Sequence, residues 1–113
     1  MNIMSDIYIE DANVEWENVG EGLRRKMLGY DEKIMMVKVE FQKGAIGYVH
    51  KHIHSQVTYV LSGKFEVQIG DDKKILRGGD CYFIPSDVEH GAINLEPGIL
   101  IDVFSPMRED FIK

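Results

Sequence analysis

The chain of 113 residues has one cysteine, three prolines, one tryptophan, four histidines and no uninterrupted apolar run of membrane-spanning length. The lone thiol, Cys81, closes no internal disulfide, so a disulfide framework is excluded and a reducing, cytoplasmic setting is expected. Arg77, Asp80, Asp87 and Glu89 break up the most apolar half before it reaches the roughly 18 residues a spanning helix needs, so no membrane partner is expected. Met1 to Asp11 carries acidic residues where a secretion signal needs a basic start and an apolar run. Basic charge is in short supply as well. Lys and Arg number 13 against 19 Asp and Glu, a net charge of -6, which argues against a sequence-independent nucleic-acid binder.

What is present reads as one globular domain over 1–113, with 44% hydrophobic residues to build its core. Ile34 to Phe41, Val57 to Leu61, Phe65 to Ile69, Cys81 to Ile84 and Ile99 to Phe104 are rich in β-formers and predict strands. Turn signals stand between them at Lys43-Gly44, Ser62-Gly63, Gly70-Asp71-Asp72, Gly78-Gly79 and Pro97-Gly98. Strands spaced about 8 to 12 residues apart indicate an all-β sandwich or closed barrel. Glu21 to Tyr30 is read as a strand turning at Asp31-Glu32-Lys33, and only Pro106 to Ile112 has room for a short terminal helix. Cys81, inside a strand, is expected to be a buried, inert thiol.

Three of the four histidines, His50, His52 and His54, crowd into five residues. On an extended strand, residues two apart share a face about 6.6 to 7 Å apart, so His50 and His52 can lean onto one divalent ion. Alternating histidines on a solvent-facing strand remain the other reading at this point.

The wider pattern resembles the cupin superfamily. Its first motif is matched by Gly44, His50-Lys-His52, Gln56 and Gly63, and its second by Gly79, Pro85-Ser-Asp87, His90 and Asn94. Two positions depart from the motif: Gln56 stands where Glu is usual and Asp87 where Gly is usual. The resemblance implies an antiparallel β-barrel of jelly-roll type, a double-stranded β-helix, with one divalent metal ion held by His50, His52, Gln56 and His90. Imidazole and amide oxygen suit Ni, Zn, Mn, Fe or Co, so the ligands do not name the ion. Gly63 and Gly79 are expected at hairpin reversals.

Tyr48 and Tyr59 are read as sharing the ligand wall, either lining a substrate site with a hydroxyl to donate or packing in the aromatic core. His54 either points into the barrel mouth or sits on the loop beside solvent. Asp102 and Phe104 share a face of their strand. If that face is interior, Asp102 is an ionisable group in a metal-containing cavity, suited to acid or base work. Arg108, after Pro106, could fold back over the mouth and grip a carboxylate, or pair on the surface with Glu109 or Asp110.

The segments HKHIHSQVTYVLSGKFE, CYFIPSDVEHG and LIDVFSPMREDF are similar to small single-domain cupins of the pectin-degradation type. Those proteins speed ring opening and tautomerisation of 4,5-unsaturated monouronates to linear keto acids, and the resemblance implies active-site roles for Asp102, Phe104 and Arg108. It predicts a metal-dependent isomerase acting on a small anionic sugar acid. An Fe-dependent dioxygenase and a non-catalytic ligand-binding cupin are the alternatives. Residues 1–33 are expected to supply N-terminal strands, 34–104 the core barrel and 105–113 a tail. Tyr8, Ile9, Val14, Trp16 and Val19 would leave apolar surface bare on a monomer, so a homodimer is expected.

Overall fold

Ile34–Phe41 is rich in β-formers and ends in apolar/polar alternation, and in the computed structural model, which describes residues 3–112, that segment is the third of eight strands. In chain order they are β1 Glu17–Gly20, β2 Leu23–Asp31, β3 Ile34–Phe41, β4 Ile46–His50, β5 Ser55–Ile69, β6 Asp72–Arg77, β7 Cys81–Ile84 and β8 His90–Ser105. The order β1-β2-β3-β8-β5-β6, with β4 on β8 and β7 on β5, makes one antiparallel sheet of jelly-roll form. Asp31 turns β2 into β3 by accepting the Lys33 and Ile34 backbone N–H groups.

β5 and β8 are each longer than the sequence pattern implied. Ser62-Gly63 and Pro97-Gly98 read as turns, yet both strands run on through them, paired from Ser55↔Ser105 to Ile69↔His90 with their register shifting near Ser62 and Lys64. Gly63 therefore ends no hairpin. It takes φ 87° where a Cβ would come within 2.7 Å of the Glu96 and Pro97 carbonyl oxygens, so only glycine lets the two strands bend together there. Beyond the bend, β8 exchanges β3 for β4 as its second neighbour.

The inward residues of β3, β5 and β8 make two adjoining cores. Phe41, Val60, Phe65, Val67 and Leu100 fill one, with Phe41 and Phe65 edge to face at 5.0 Å. Met35, Val37, Phe104 and Met107 fill the other. Outside, Met36, Val103, Val57 and Phe83 form a row across four strands, with Met36, Val57 and Phe83 exposed. Cys81, expected inside, belongs to this outer face and is exposed, because the inward parity of β7 falls on Tyr82 and Ile84.

The expected terminal helix is only a 3₁₀ turn, Glu109–Phe111, after an extended Arg108. In the N-terminal tract Tyr8 and Val19 are exposed, but Ile9, Val14 and Trp16 are half-covered. Trp16 lies under the Arg24 guanidinium at 4.2 Å and the Lys26 ammonium at 4.8 Å, and Lys26 ties Asp11 down. Among the described residues, no helix is long and apolar enough to cross a membrane.

Candidate metal centre

His50 ends β4 and pairs directly with His90, the first residue of β8. His52 is not on the same strand, as the spacing had suggested, but in the loop that follows. The loop is pinned where the Asp87 N–H donates to the His52 carbonyl at 2.8 Å. Asp87 has φ 61°, a left-handed conformation that glycine adopts freely and aspartate tolerates, which accounts for this departure from the motif.

Each of the three imidazoles that could hold a metal is oriented by a backbone carbonyl two residues away. Nδ1 of His50 lies 2.8 Å from the Tyr48 oxygen, Nδ1 of His52 3.1 Å from that of His54, and Nδ1 of His90 2.9 Å from that of Val88. A carbonyl only accepts, so these contacts assign the proton to Nδ1 and leave a lone pair on Nε2 of each neutral ring. The three residues offer ligand atoms within 4.8 Å of one another, and His90 Nε2 is buried with no partner.

Gln56, on β5, lies beside these imidazoles. Its Nε2 donates to Thr58 Oγ1 at 2.8 Å and to Asp102 Oδ1 at 3.3 Å, which turns Oε1 toward His52 Nε2 at 3.1 Å. Two acceptors thus face each other with no proton between them, an arrangement that a cation relieves. Protonation is a poor substitute. Burial pushes His90 down to about 4, and burial followed by the Arg108 charge lowers His52. Three imidazole lone pairs and one amide oxygen fit a divalent first-row ion.

Beside these groups lies a cavity of about 170 Å³ whose walls include His50, Gln56, His90, Asp102, Phe104 and Arg108. Larger depressions elsewhere contain none of the histidines. Asp102, opposite Thr58 in the β5–β8 register, accepts the Thr58 hydroxyl at 2.7 Å, and burial raises its carboxyl to about 6. Arg108 is covered on the cavity side, yet it also makes the local pair that was the alternative for it. Nε and Nη2 hold the two oxygens of Asp110 at 3.0 and 2.8 Å. Its guanidinium stacks on Phe111 at 4.4 Å and lies 5.3 Å from the Phe104 ring.

Three expected lining residues are not among the walls. Tyr59 points outward because the inward parity of β5 belongs to Gln56, Thr58 and Val60. Tyr48 is exposed because the β4 register slips between Gly47 and His50, so Tyr48 and His50 no longer share a face. His54 takes neither expected position: half-buried, it braces the C-terminal segment, its Nε2 3.0 Å from the Met107 carbonyl oxygen. Other cavity residues were missed, Tyr82 and Phe111 among them. Tyr82, paired with Thr58 across β5 and β7, has its phenol held neutral by burial. Strand parity counted back from Ile84 would have found it. Phe111 comes from a tail whose fold carries no periodic signal.

Residues 37–104 match the family profile described as cupin domain. The chain is 48% identical over 107 residues to the pectin degradation protein KdgF of Dickeya dadantii, covering 93% of this chain and 97% of that one. A solved RmlC-like cupin from Shewanella frigidimarina shares 49% identity at a TM-score of 0.95, covering 96% and 98% of the two chains. The solved KdgF of a Halomonas species shares 36% at 0.91, covering 96% and 100%.

Proposed function

The chain belongs to the cupin family, and from that premise we propose that it is a metal-dependent isomerase converting a small 4,5-unsaturated uronate to its linear keto form. The observation that carries this reading is one small cavity walled by three ligand residues, His50, Gln56 and His90, together with an acid-base group, Asp102, and a guanidinium, Arg108. The relative named as a pectin degradation protein supports a pectin-derived substrate. His50, His52, Gln56 and His90 would hold the ion. The chemistry supplied by a bound divalent ion is Lewis-acid polarisation of a carbonyl or hydroxyl oxygen.

The remaining work falls to this chain's own side chains. Asp110 occupies one edge of the Arg108 guanidinium, and the free terminal edge binds the substrate carboxylate. Phe104 and Phe111 give that end of the cavity an apolar wall, which strengthens the ion pair by excluding water. Opening the hemiacetal leaves an enol, and tautomerisation moves the enol O–H proton to carbon, so nothing is added or lost. Asp102, with its carboxyl near 6, can both take and return that proton near neutral pH. The test is loss of ring-enol absorbance when purified, metal-loaded protein meets an unsaturated uronate. A wild-type rate equal to the uncatalysed one rejects the reading. On the same reading the protein works in the cytoplasm as a homodimer, with the outer row of Met36, Val103, Val57 and Phe83 as the face to be covered.

A further inference from the structure

Thr58 is fully buried on β5, and both functions of its hydroxyl are used. The group donates to Asp102 Oδ1 at 2.7 Å and accepts from Gln56 Nε2 at 2.8 Å. A hydroxyl has one proton. With that proton given to Asp102, the oxygen can receive only an N–H from Gln56, never the amide carbonyl. Asp102 Oδ1 imposes the same choice at 3.3 Å. The opposite seating of the amide would point NH₂ at His52 Nε2, 3.1 Å from the atom now facing it, and form a hydrogen bond there. That bond would cap one ligand nitrogen and withdraw the amide oxygen in a single rotation.

We propose that Thr58 is a positioning residue whose hydroxyl keeps the Gln56 amide from turning over, so that Gln56 presents oxygen to the metal and leaves His52 Nε2 free. The role rests on the reading of His50, His52, Gln56 and His90 as a metal site. It goes beyond that reading by explaining how a neutral, two-faced side chain serves as a ligand at all. A carboxylate would need no such help, since both of its ends are oxygen.

The experiment uses the full chain with Thr58→Val, which keeps the shape and drops the hydroxyl, Thr58→Ser, which keeps the hydroxyl, Gln56→Ala, and the Thr58→Val/Gln56→Ala pair. Zn²⁺ affinity is measured by competition with a chelating dye, and the Co²⁺ visible spectrum reports the ligand set. Thr58→Val should weaken Zn²⁺ about 10- to 100-fold, the usual cost of losing a partner that orients a ligand, and shift the Co²⁺ bands. Thr58→Ser should restore both, and Thr58→Val should add nothing on the Gln56→Ala background. Wild-type affinity and spectrum in Thr58→Val overturn the proposal, and so does an equal loss on the Gln56→Ala background, which marks a general structural effect. Should Thr58→Val not fold, Thr58→Ala carries the same readout. If the wild-type chain itself binds no Zn²⁺, the metal reading fails first and this proposal with it. Binding by wild type that is indifferent to Thr58 defeats the proposal alone.

Discussion

Gln56 Nε2 and Asp102 Oδ1 lie 3.3 Å apart on adjacent strands, amide donor to carboxylate acceptor. The amide that stands where the cupin motif usually has glutamate is therefore matched to a carboxylate beside it, and a glutamate there would face that carboxylate directly.

Gln56→Glu brings two carboxylates into one buried site, where they share a proton instead of both ionising. The variant is expected to gain less metal affinity than its added charge implies and to melt below wild type at pH 8 without metal. Gln56→Glu/Asp102→Asn should recover the melting temperature and bind Zn²⁺ more tightly than either parent. Thermal melts and dye competition on the three proteins check this.

Asp102 makes stability depend on pH in a stated direction. Its folded value, about 6, lies above the ordinary 3.8, so the folded state holds a proton that the unfolded chain has released. The group's contribution is complete below about 3.8 and is lost as pH rises through about 6, on the order of 3 kcal/mol in all. Lowered His90 works the other way, adding stability above 6.5 that is lost as pH falls through about 4. Comparison with Asp102→Asn isolates the first effect: the variant's advantage without metal should widen between pH 4 and pH 8. Its turnover with metal should fall about 10²- to 10⁴-fold if Asp102 moves the proton.

Removing two of the three imidazoles separates ligation from folding. His50→Ala/His90→Ala is expected to emerge with no stoichiometric metal by elemental analysis while keeping its β-sheet circular dichroism. Full occupancy would reject the ligand set.

Arg108→Ala should not weaken Zn²⁺ affinity but should weaken an anionic substrate by about 2 to 5 kcal/mol if the pair is desolvated. Arg108→Lys should not restore it, because an ammonium cannot hold Asp110 with one edge and a carboxylate with the other. Steady-state kinetics with KM and kcat resolved decide the point. Phe104→Ala is a poor probe of chemistry. The ring is buried in the second core cluster, and its loss should cost about 3 to 5 kcal/mol of stability first.

Lysines at Val57 and Phe83, both exposed on the outer row, should halve the mass seen by light scattering to 13.0 kDa if two copies pack there. A wild-type mass of 13.0 kDa at micromolar concentration removes the dimer.

The fold was legible where β-formers cluster between turn signals: β3 and β7 fall where that enrichment put them. It failed where a residue acts against its type. Gly63 and Gly98 look like turn formers but serve as places where two backbones touch, which only the partner strand reveals. Tyr48 was misplaced by one irregular register step, and Tyr59 because the inward positions of β5 are Gln56, Thr58 and Val60. The three candidate histidines, His50, His52 and His90, stood out because histidine is rare and clustered. Thr58 and Tyr82 did not, since a threonine or tyrosine in a strand is ordinary until its partner across the sheet is known.

The shared bend of β5 and β8 has a consequence for how the site comes into being. His90 and Asp102 are twelve residues apart on one strand, about 40 Å if it ran straight, yet both wall the same small cavity. They meet only because the ribbon folds over at Gly63 and Gly98. The candidate metal site is thus a closure detector, assembled only after the β5–β8 pairing, which reaches Ser55 with Ser105, has zipped shut. Ion uptake during refolding should trail the appearance of β-structure, and a side chain at Gly63, which carries no ligand, should abolish it as surely as the loss of a histidine.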